Sequence, residues 1–257
     1  MTAGRFPKLI TYLLLLFLYL PILILMVSSF NASRFGADWS GFSLIWYRKL
    51  FHDHEIWGAV QNSLIVGLTA TLFATILGTL SAFALYRFKS KLQNVHYALI
   101  YSPLVIPDLL MGMSLLLLFV SVGFDLGLIT IIIAHTTFCI SYVAMVVLSK
   151  LEHFDFHVLE AAQDLGASVW TTFTKVVLPM LLPGIISGAL LAFTISFDDF
   201  IVTSFVAGPG SSTLPIHVYG MIKFGATPVI NALSTLILAV TFILAIATQL
   251  LTKESAA

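Results

Sequence analysis

The chain has 257 residues, of which 59% are hydrophobic and 9% are charged, and its mean hydropathy is +1.03. A soluble globular protein carries roughly 25% charged residues, so this composition excludes an ordinary soluble domain. The formal net charge is zero, with 12 basic and 12 acidic residues, which gives no indication of nucleic-acid binding. The single cysteine, Cys139, lies in an apolar run and is predicted to be a small packing residue.

Six stretches are apolar enough to cross a bilayer, which takes roughly 20 mostly apolar residues in a helix. They lie near residues 10–29, 60–86, 96–122, 127–149, 181–206 and 229–251. The sequence therefore predicts an all-α integral membrane protein, with one transmembrane domain over residues 1–257. The first apolar core, Leu9 to Val27, is too long for a cleaved signal peptide and predicts an uncleaved helix kinked at Pro21.

The basic residues predict that both ends of the chain lie in the cytoplasm. In that orientation eight of the twelve Lys and Arg residues are cytoplasmic, and the cluster from Arg87 to Lys91 fixes the second loop inside. Outside, residues 31–58 are rich in aromatic side chains, which predicts a segment at the membrane interface. The last outer loop, residues 208–228, fits either contact with a binding protein or closure of the outer face.

The cytoplasmic loop of residues 150–180 is far longer than two helices need to turn around. Its composition predicts a short amphipathic helix that begins at an Asp155 N-cap and stops at Gly166. Ser168 then caps a second amphipathic stretch, which is predicted to end at Leu178-Pro179. Periodicity alone leaves two interpretations open: the pair of helices covers its own bundle, or the short helix docks into another protein.

This loop resembles the EAA loop of binding-protein-dependent ABC importer permeases. The match consists of Glu160-Ala161-Ala162, then Gly166 after three intervening residues, then Val176 and Leu178-Pro179, with Val176 in place of the usual Ile. The resemblance implies a coupling helix that docks into an ATP-binding subunit. The docking residues would be Glu160, Ala161, Ala162, Asp164, Gly166, Leu178 and Pro179.

The same resemblance implies the type I ABC importer permease fold and a pair of permease subunits. The chain has no GxxxxGK[ST] sequence, so the usual P-loop ATPase chemistry must belong to another chain. We therefore expect no enzymatic activity and no cofactor on this chain, with ATP and Mg²⁺ bound by the partner ATPase.

Three carboxylates lie inside the predicted spans: those of Asp108, Asp198 and Asp199. An acidic side chain at the centre of a spanning helix costs about 2.5–3.5 kcal/mol, so such residues usually have a function. Asp108 follows Pro103 and Pro107. That pattern fits the first turn of a broken helix as well as a place on a substrate pathway.

Asp198 and Asp199 lie on the fifth predicted helix, where adjacent residues differ by about 100° in direction, so only one faces a pathway squarely. They could brace a neighbouring helix or snorkel to the interface. However, residues 182–206 contain no Lys or Arg, and no basic residue falls well inside any of the six spans. This favours the interpretation that the acids are unpaired anions that attract a cation. Phe197 and Phe200 would add cation–π attraction.

Further stretches resemble the permeases of spermidine/putrescine importers, in particular the second permease subunit. They are Asn31 to Gly36 with Trp46-Tyr47, Ala161 to Gly166, Ser196 to Asp199, Ser204 to Gly210, and Asn231 to Leu233. The resemblance implies a bacterial inner-membrane complex of two different permeases, two ATPase subunits and an extracytoplasmic polyamine-binding protein.

Other functions fit the sequence less well. An ion-coupled secondary transporter would use membrane carboxylates to carry protons. Such transporters often have an internal repeat with broken helices in both halves, and this sequence shows no matching second half. No Ser/His/Asp or Cys/His constellation indicates a membrane enzyme, and His52 with His54 lacks a third ligand at metal spacing. Within the importers, a ferric-iron permease stays open, whereas unpaired acids disfavour small anions.

Overall fold

The structure is a computed structural model that describes residues 5–34, 38–88, 90–152, 154–155, 157–225 and 228–254. Phe35, Gly36 and Lys89, which carried sequence-based predictions, lie outside these residues. The described part is helical, with a single isolated antiparallel bridge between Asn31 and Phe42. In chain order the helices are α1 Arg5–Ser28, α2 Ile45–His52, α3 His54–Arg87, α4 Gln93–Val105, α5 Asp108–Val122, α6 Leu128–Glu152, α7 His157–Asp164, α8 Val169–Thr172, a π-helical segment Phe173–Val177, α9 Leu178–Asp198, α10 Ile201–Val206, α11 Leu214–Lys223 and α12 Val229–Glu254.

Each of the six predicted apolar stretches falls on one or more of these helices. Among the described residues, four helical stretches are long and apolar enough to span a membrane: Phe6–Ser28, His54–Arg87, Leu128–Glu152 and Trp170–Asp198. α4 and α5 pass the same test only as a pair and meet at a bend of 108°, which makes five if the pair is one broken span. α12 covers the last predicted stretch, but by the same test its part Val229–Ile243 is only a shorter apolar helix. The count of six spans therefore stays a prediction.

The chain divides into two compact units, residues 1–57 with 217–257, and residues 58–216. In the second unit, α6 packs against α4, α9 and α10, and α5 packs against α10. Val143 of α6 lies between two glycines on neighbouring helices, Gly78 of α3 and Gly188 of α9. Small residues at such crossings let backbones approach closely, as is common where membrane helices pack.

In the first unit, α12 packs against α1 and α2. The Asn31 side chain organises the segment between α1 and α2: its Oδ1 accepts hydrogen bonds from the backbone of Ser33 and Ser40, and its Nδ2 donates to Asp38 O. Trp46 is buried and donates from its indole Nε1 to Asn31 O over 2.7 Å. Trp46 is therefore a core anchor, whereas Trp39, from the same aromatic-rich segment, is exposed.

Candidate functional site: two broken helices and a docking loop

The break between α4 and α5 places Asp108 at the first position of α5. Pro107 precedes it in an extended conformation (φ −56°, ψ 135°), and the Asp108 side chain is exposed. Proline cannot donate the backbone hydrogen bond that a continuing helix needs, which explains why α4 ends here. A carboxylate in the first turn is also favoured by the positive end of the helix dipole. The sequence predicted this broken-helix arrangement.

The fifth predicted helix is broken as well, which the sequence did not predict. α9 ends at Asp198, Asp199 is extended (φ −66°, ψ 126°), and α10 begins at Ile201. The prediction of one helix through residue 206 was therefore wrong. The side chain of Asp199 turns inward and provides the hydrogen-bond acceptor for the start of α10: its Oδ2 accepts from the backbone N–H and the hydroxyl of Thr203, both at 2.7 Å.

Asp198 and Asp199 consequently face different surroundings. The side chain of Asp199 is 10% exposed, whereas Asp198 is an exposed residue at the C-terminal end of α9. Helix C-termini carry partial negative charge, so a carboxylate there is unfavourable unless a cation approaches. Asp198 is therefore the more accessible of the two carboxylates, and it lies where the approach of a cation would be favourable.

A buried histidine on α6, His135, lies beside Asp199. Its Nε2 is 3.3 Å from Asp199 Oδ2 and 2.9 Å from Thr203 Oγ1, and its Nδ1 is 2.7 Å from Ser196 Oγ. The sequence-based interpretation of Asp199 as an unpaired anion, which considered only Lys and Arg, was therefore wrong. A single histidine in an apolar helix gives no sign of its partners, which lie 61 to 68 residues away in the sequence.

The break before Asp108 lies in the same group of helices. α10, which begins just after Asp199, packs against α5, which begins at Asp108. Both α5 and α10 also contact α6, the helix that carries His135. The structure thus places the carboxylates of the two breaks on helices that pack together.

The two aromatic residues predicted to flank these acids are both half-buried. Phe197 stacks on Phe193 with ring centroids 5.7 Å apart, one turn before the end of α9. Phe200 lies in the connection between α9 and α10. Their contribution to cation binding stays a prediction.

The predicted docking helix is α7, which has no buried residue. The Asp155 carboxylate accepts a hydrogen bond from the His157 backbone at its start, and Gly166, at φ +83°, ends it. The Gly166 N–H donates to Gln163 O and the Ala167 N–H to Ala162 O, which is the hydrogen-bond pattern of a Schellman motif. Both predicted ends are confirmed.

The remaining predicted docking residues are distributed over two places. Glu160, Ala161, Ala162 and Asp164 lie on α7, where Glu160 Oε2 is 3.5 Å from His157 Nδ1 and both side chains are exposed. Leu178 and Pro179 lie at the start of α9, beyond α8 and the π-helical segment. The helix does not end at Leu178-Pro179, as predicted, because the π-helical turn before it shifts the backbone bonds: Leu178 N–H pairs with Phe173 O, five residues back.

Sequence reasoning did not assign a role to two large apolar side chains beside α7. Leu165 is 90% exposed and Trp170 is 73% exposed. Large apolar side chains that are this exposed are typical of an interaction site when they form a patch. α7 also forms one wall of a cavity of about 1590 Å³, together with the ends of α3 and α6 and the beginning of α4.

Residues 74–253 match the protein family described as "Binding-protein-dependent transport system inner membrane component". The chain belongs to this family. It is therefore a multi-pass inner-membrane component of an ABC importer, a translocation subunit and not an enzyme, and it works with a binding protein and a separate ATPase chain. The docking helix and its EAA sequence are typical of the family.

Similar proteins include polyamine permeases. The spermidine/putrescine transport system permease protein PotC of Escherichia coli K12 is 41% identical over 238 residues, which cover 93% of this chain and 90% of that protein. PotC of Haemophilus influenzae is 41% identical and covers 93% of both chains. The putrescine transport system permease protein PotI of E. coli K12 is 46% identical over 91% of this chain and 86% of its own length.

Solved structures share the fold at low sequence identity. A chain of a bacterial ABC transporter that imports the acidic polysaccharide alginate superimposes with a TM-score of 0.73 at 15% identity, over 98% of this chain and 99% of that one. The MetNI methionine ABC transporter gives a TM-score of 0.60 at 18% identity, over 77% of this chain and 93% of that one. At these identities the likeness shows an ABC importer permease fold alone.

Proposed function

We propose that this chain is a pore-forming subunit of an ATP-driven importer of polyamines, of the spermidine and putrescine class. The exposed carboxylate of Asp198 at the C-terminal end of α9 is the observation that carries the proposal. Relatives at 41% and 46% identity that are named as spermidine/putrescine and putrescine permeases support it.

The chemistry of a polyamine suits the site at the two breaks. A polyamine carries ammonium groups along an apolar methylene chain, so it needs spaced acceptors with apolar walls between them. At Asp198 the C-terminal end of α9 would add its partial negative charge to that of the side chain. At Asp108 the end of the helix is positive, so the carboxylate alone would attract the ammonium group. Asp198 would bind an ammonium group, Asp108 would bind a second one, and Phe197 and Phe200 would line the path, with Asp199 contributing through the shape of the break.

Coupling to ATP would run through α7. In the proposed complex this chain pairs with a second, homologous permease and with two copies of an ATP-binding subunit, which hold ATP and Mg²⁺. α7 would dock into the ATPase with Glu160, Ala161, Ala162 and Asp164, while Gly166 permits the sharp turn behind the helix. The exposed Leu165 and Trp170 would supply the apolar contact that such an interface needs.

The proposed mechanism is alternating access. ATP binding closes the two ATPase subunits, their motion pulls the docking helices, and the helix bundles rock between inward-open and outward-open states. The extracytoplasmic binding protein delivers the polyamine on the outer side, and both ends of this chain lie in the cytoplasm.

The experiment is uptake of labelled spermidine by proteoliposomes that contain the complete importer. Asp198→Asn and Asp108→Asn should each raise the KM for uptake about tenfold or more, as expected when one charge-assisted hydrogen bond is lost. Asp125→Asn, which removes an exposed carboxylate in the connection between α5 and α6, is the matched control and should change little. Unchanged uptake in both pathway variants would contradict the role of these residues.

A further inference from the structure

His135 connects every part of the break between α9 and α10. Through its two ring nitrogens it contacts Ser196 in the last turn of α9, Asp199 in the connection, and Thr203 in α10. Its own helix, α6, packs against both α9 and α10. α9 and α10 are joined in the chain only by Asp199 and Phe200. The imidazole of His135 therefore links both helices to α6.

Three of the four members of this network are buried, and the side chain of the fourth, Asp199, is 10% exposed. His135 is 1% exposed, Ser196 3% and Thr203 is completely covered. A buried polar group left without a partner costs more than the bond itself contributes, so the loss of one member affects all the others. The network thus permits few alternative arrangements of the break.

The Thr203 hydroxyl links Asp199 to His135. It donates to Asp199 Oδ2, so its lone pairs are left to accept from His135 Nε2–H. His135 Nδ1 forms a hydrogen bond of 2.7 Å with Ser196 Oγ, and His135 Nε2 is also 3.3 Å from Asp199 Oδ2. The imidazole is thus within reach of the carboxylate and of both hydroxyl groups.

The conformation of the break determines where Asp198 lies. Because Asp199 is extended, its side chain and that of Asp198 leave the backbone in different directions. The Asp199 side chain is held inward by Thr203 and His135, and Asp198 is thereby left exposed. A helix that continued through residue 199 would place Ile201 and Val202, three and four residues further along the same face, beside Asp198 and cover it.

We propose that His135 is a positioning residue for transport, which acts through Asp199 to hold Asp198 facing the substrate. This inference rests on the proposed function, in which Asp198 binds an ammonium group. His135 itself does not contact the substrate.

The test measures the exposure of position 198 in the assembled importer. Asp198→Cys is labelled with a positively charged methanethiosulfonate reagent, and the mass shift of this chain gives the rate. The other cysteine of the chain, Cys139, is completely buried and serves as an internal reference. The rate is compared in chains that also carry His135→Leu, His135→Gln or Thr137→Val.

We expect His135→Leu to lower the labelling rate about tenfold, the effect of losing one charge-assisted hydrogen bond. His135→Gln should recover most of the rate, since its amide N–H replaces the Nε2 donor. Thr137→Val, which removes an exposed hydroxyl from the same helix, should leave the rate unchanged. Equal rates in His135→Leu and in the chain with His135 would overturn the inference.

Spermidine uptake by His135→Leu, Asp198→Asn and the double variant provides a second readout. A positioning role predicts that the double variant has the same KM as Asp198→Asn alone, once uptake is normalised to the amount of assembled complex. Additive losses would overturn the inference. The labelling rate does not depend on the transported solute, so a failure of the polyamine proposal and a failure of the His135 proposal give different results.

Discussion

Asp198 and Asp199 are neighbours in the chain, yet the first is exposed at the end of α9 and the second is enclosed by Thr203 and His135. Two adjacent acids with identical chemistry therefore have different surroundings. The exposed carboxylate is accessible, and the enclosed one accepts hydrogen bonds at the break between α9 and α10.

This difference predicts opposite effects for two identical substitutions. Asp199→Asn replaces a carboxylate that accepts several hydrogen bonds, and it should lower the Tm of the purified complex and the yield of assembled importer. Asp198→Asn changes an exposed group and should leave Tm within experimental error while raising the KM for polyamine uptake. Differential scanning fluorimetry with uptake assays on the same preparations checks both, and equal losses of Tm would contradict the assignment.

The turn after α7 gives a second prediction. Gly166 has φ +83°, a conformation that costs an L-residue with a side chain roughly 1–2 kcal/mol. Gly166→Val should disrupt the Schellman motif and reduce copurification of the ATPase subunit, measured by affinity capture from detergent.

The control for that prediction is Gly58→Ala. Gly58 lies in α3, where an added Cβ meets no atom within 4 Å and φ is not positive. It should leave ATPase capture unchanged. Normal capture and ATP-driven uptake with Gly166→Val would show that the turn is not needed for docking.

The exposed apolar residues at α7 give a third prediction. Leu165→Glu should weaken ATPase association by about tenfold or more, because it places a charge where an apolar contact is expected. Since the side chain is exposed, the Tm of the isolated permease should not fall. Titration of the ATPase subunit onto permease in nanodiscs measures the affinity, and an unchanged Kd would remove Leu165 from the interface.

Helix packing in the unit of residues 58–216 gives a fourth prediction. A Cβ on Gly78 would lie 2.8 Å from the Cβ of Val143 and 2.9 Å from the carbonyl oxygen of Ile140. Gly78→Val should therefore destabilise the chain by roughly 1–3 kcal/mol, as overpacking does. Gly78→Ala should lower the Tm as well, because a single Cβ already meets both atoms, and a Gly78→Val chain as stable as the original would contradict this packing.

Local chemistry explains the parts of the structure that the sequence predicted. Pro107 cannot continue a helix, so the break before Asp108 follows from one residue. α7 ends at Gly166 because the left-handed backbone conformation there favours a residue without a side chain. At the beginning of α7, the Asp155 carboxylate accepts a hydrogen bond from the backbone. Each of these signals lies within a few residues of the feature that it determines.

The unpredicted features depend on contacts between distant residues. No proline or glycine marks the end of α9, where the sequence is Phe197-Asp198-Asp199-Phe200. The break is stabilised by His135 on another helix, whose partners cannot be identified from spacing. In the same way, Pro179 usually indicates a helix boundary, but the π-helical turn before it lets the helix continue.

The most direct measurement is ATP-driven solute uptake by proteoliposomes that hold this chain with its partner permease, the ATPase subunits and the binding protein. We predict that labelled spermidine or putrescine accumulates only with ATP inside and binding protein outside, and that excess ferric iron does not compete. ATP-dependent accumulation of ferric iron or an anionic solute, with no uptake of either polyamine, would contradict it.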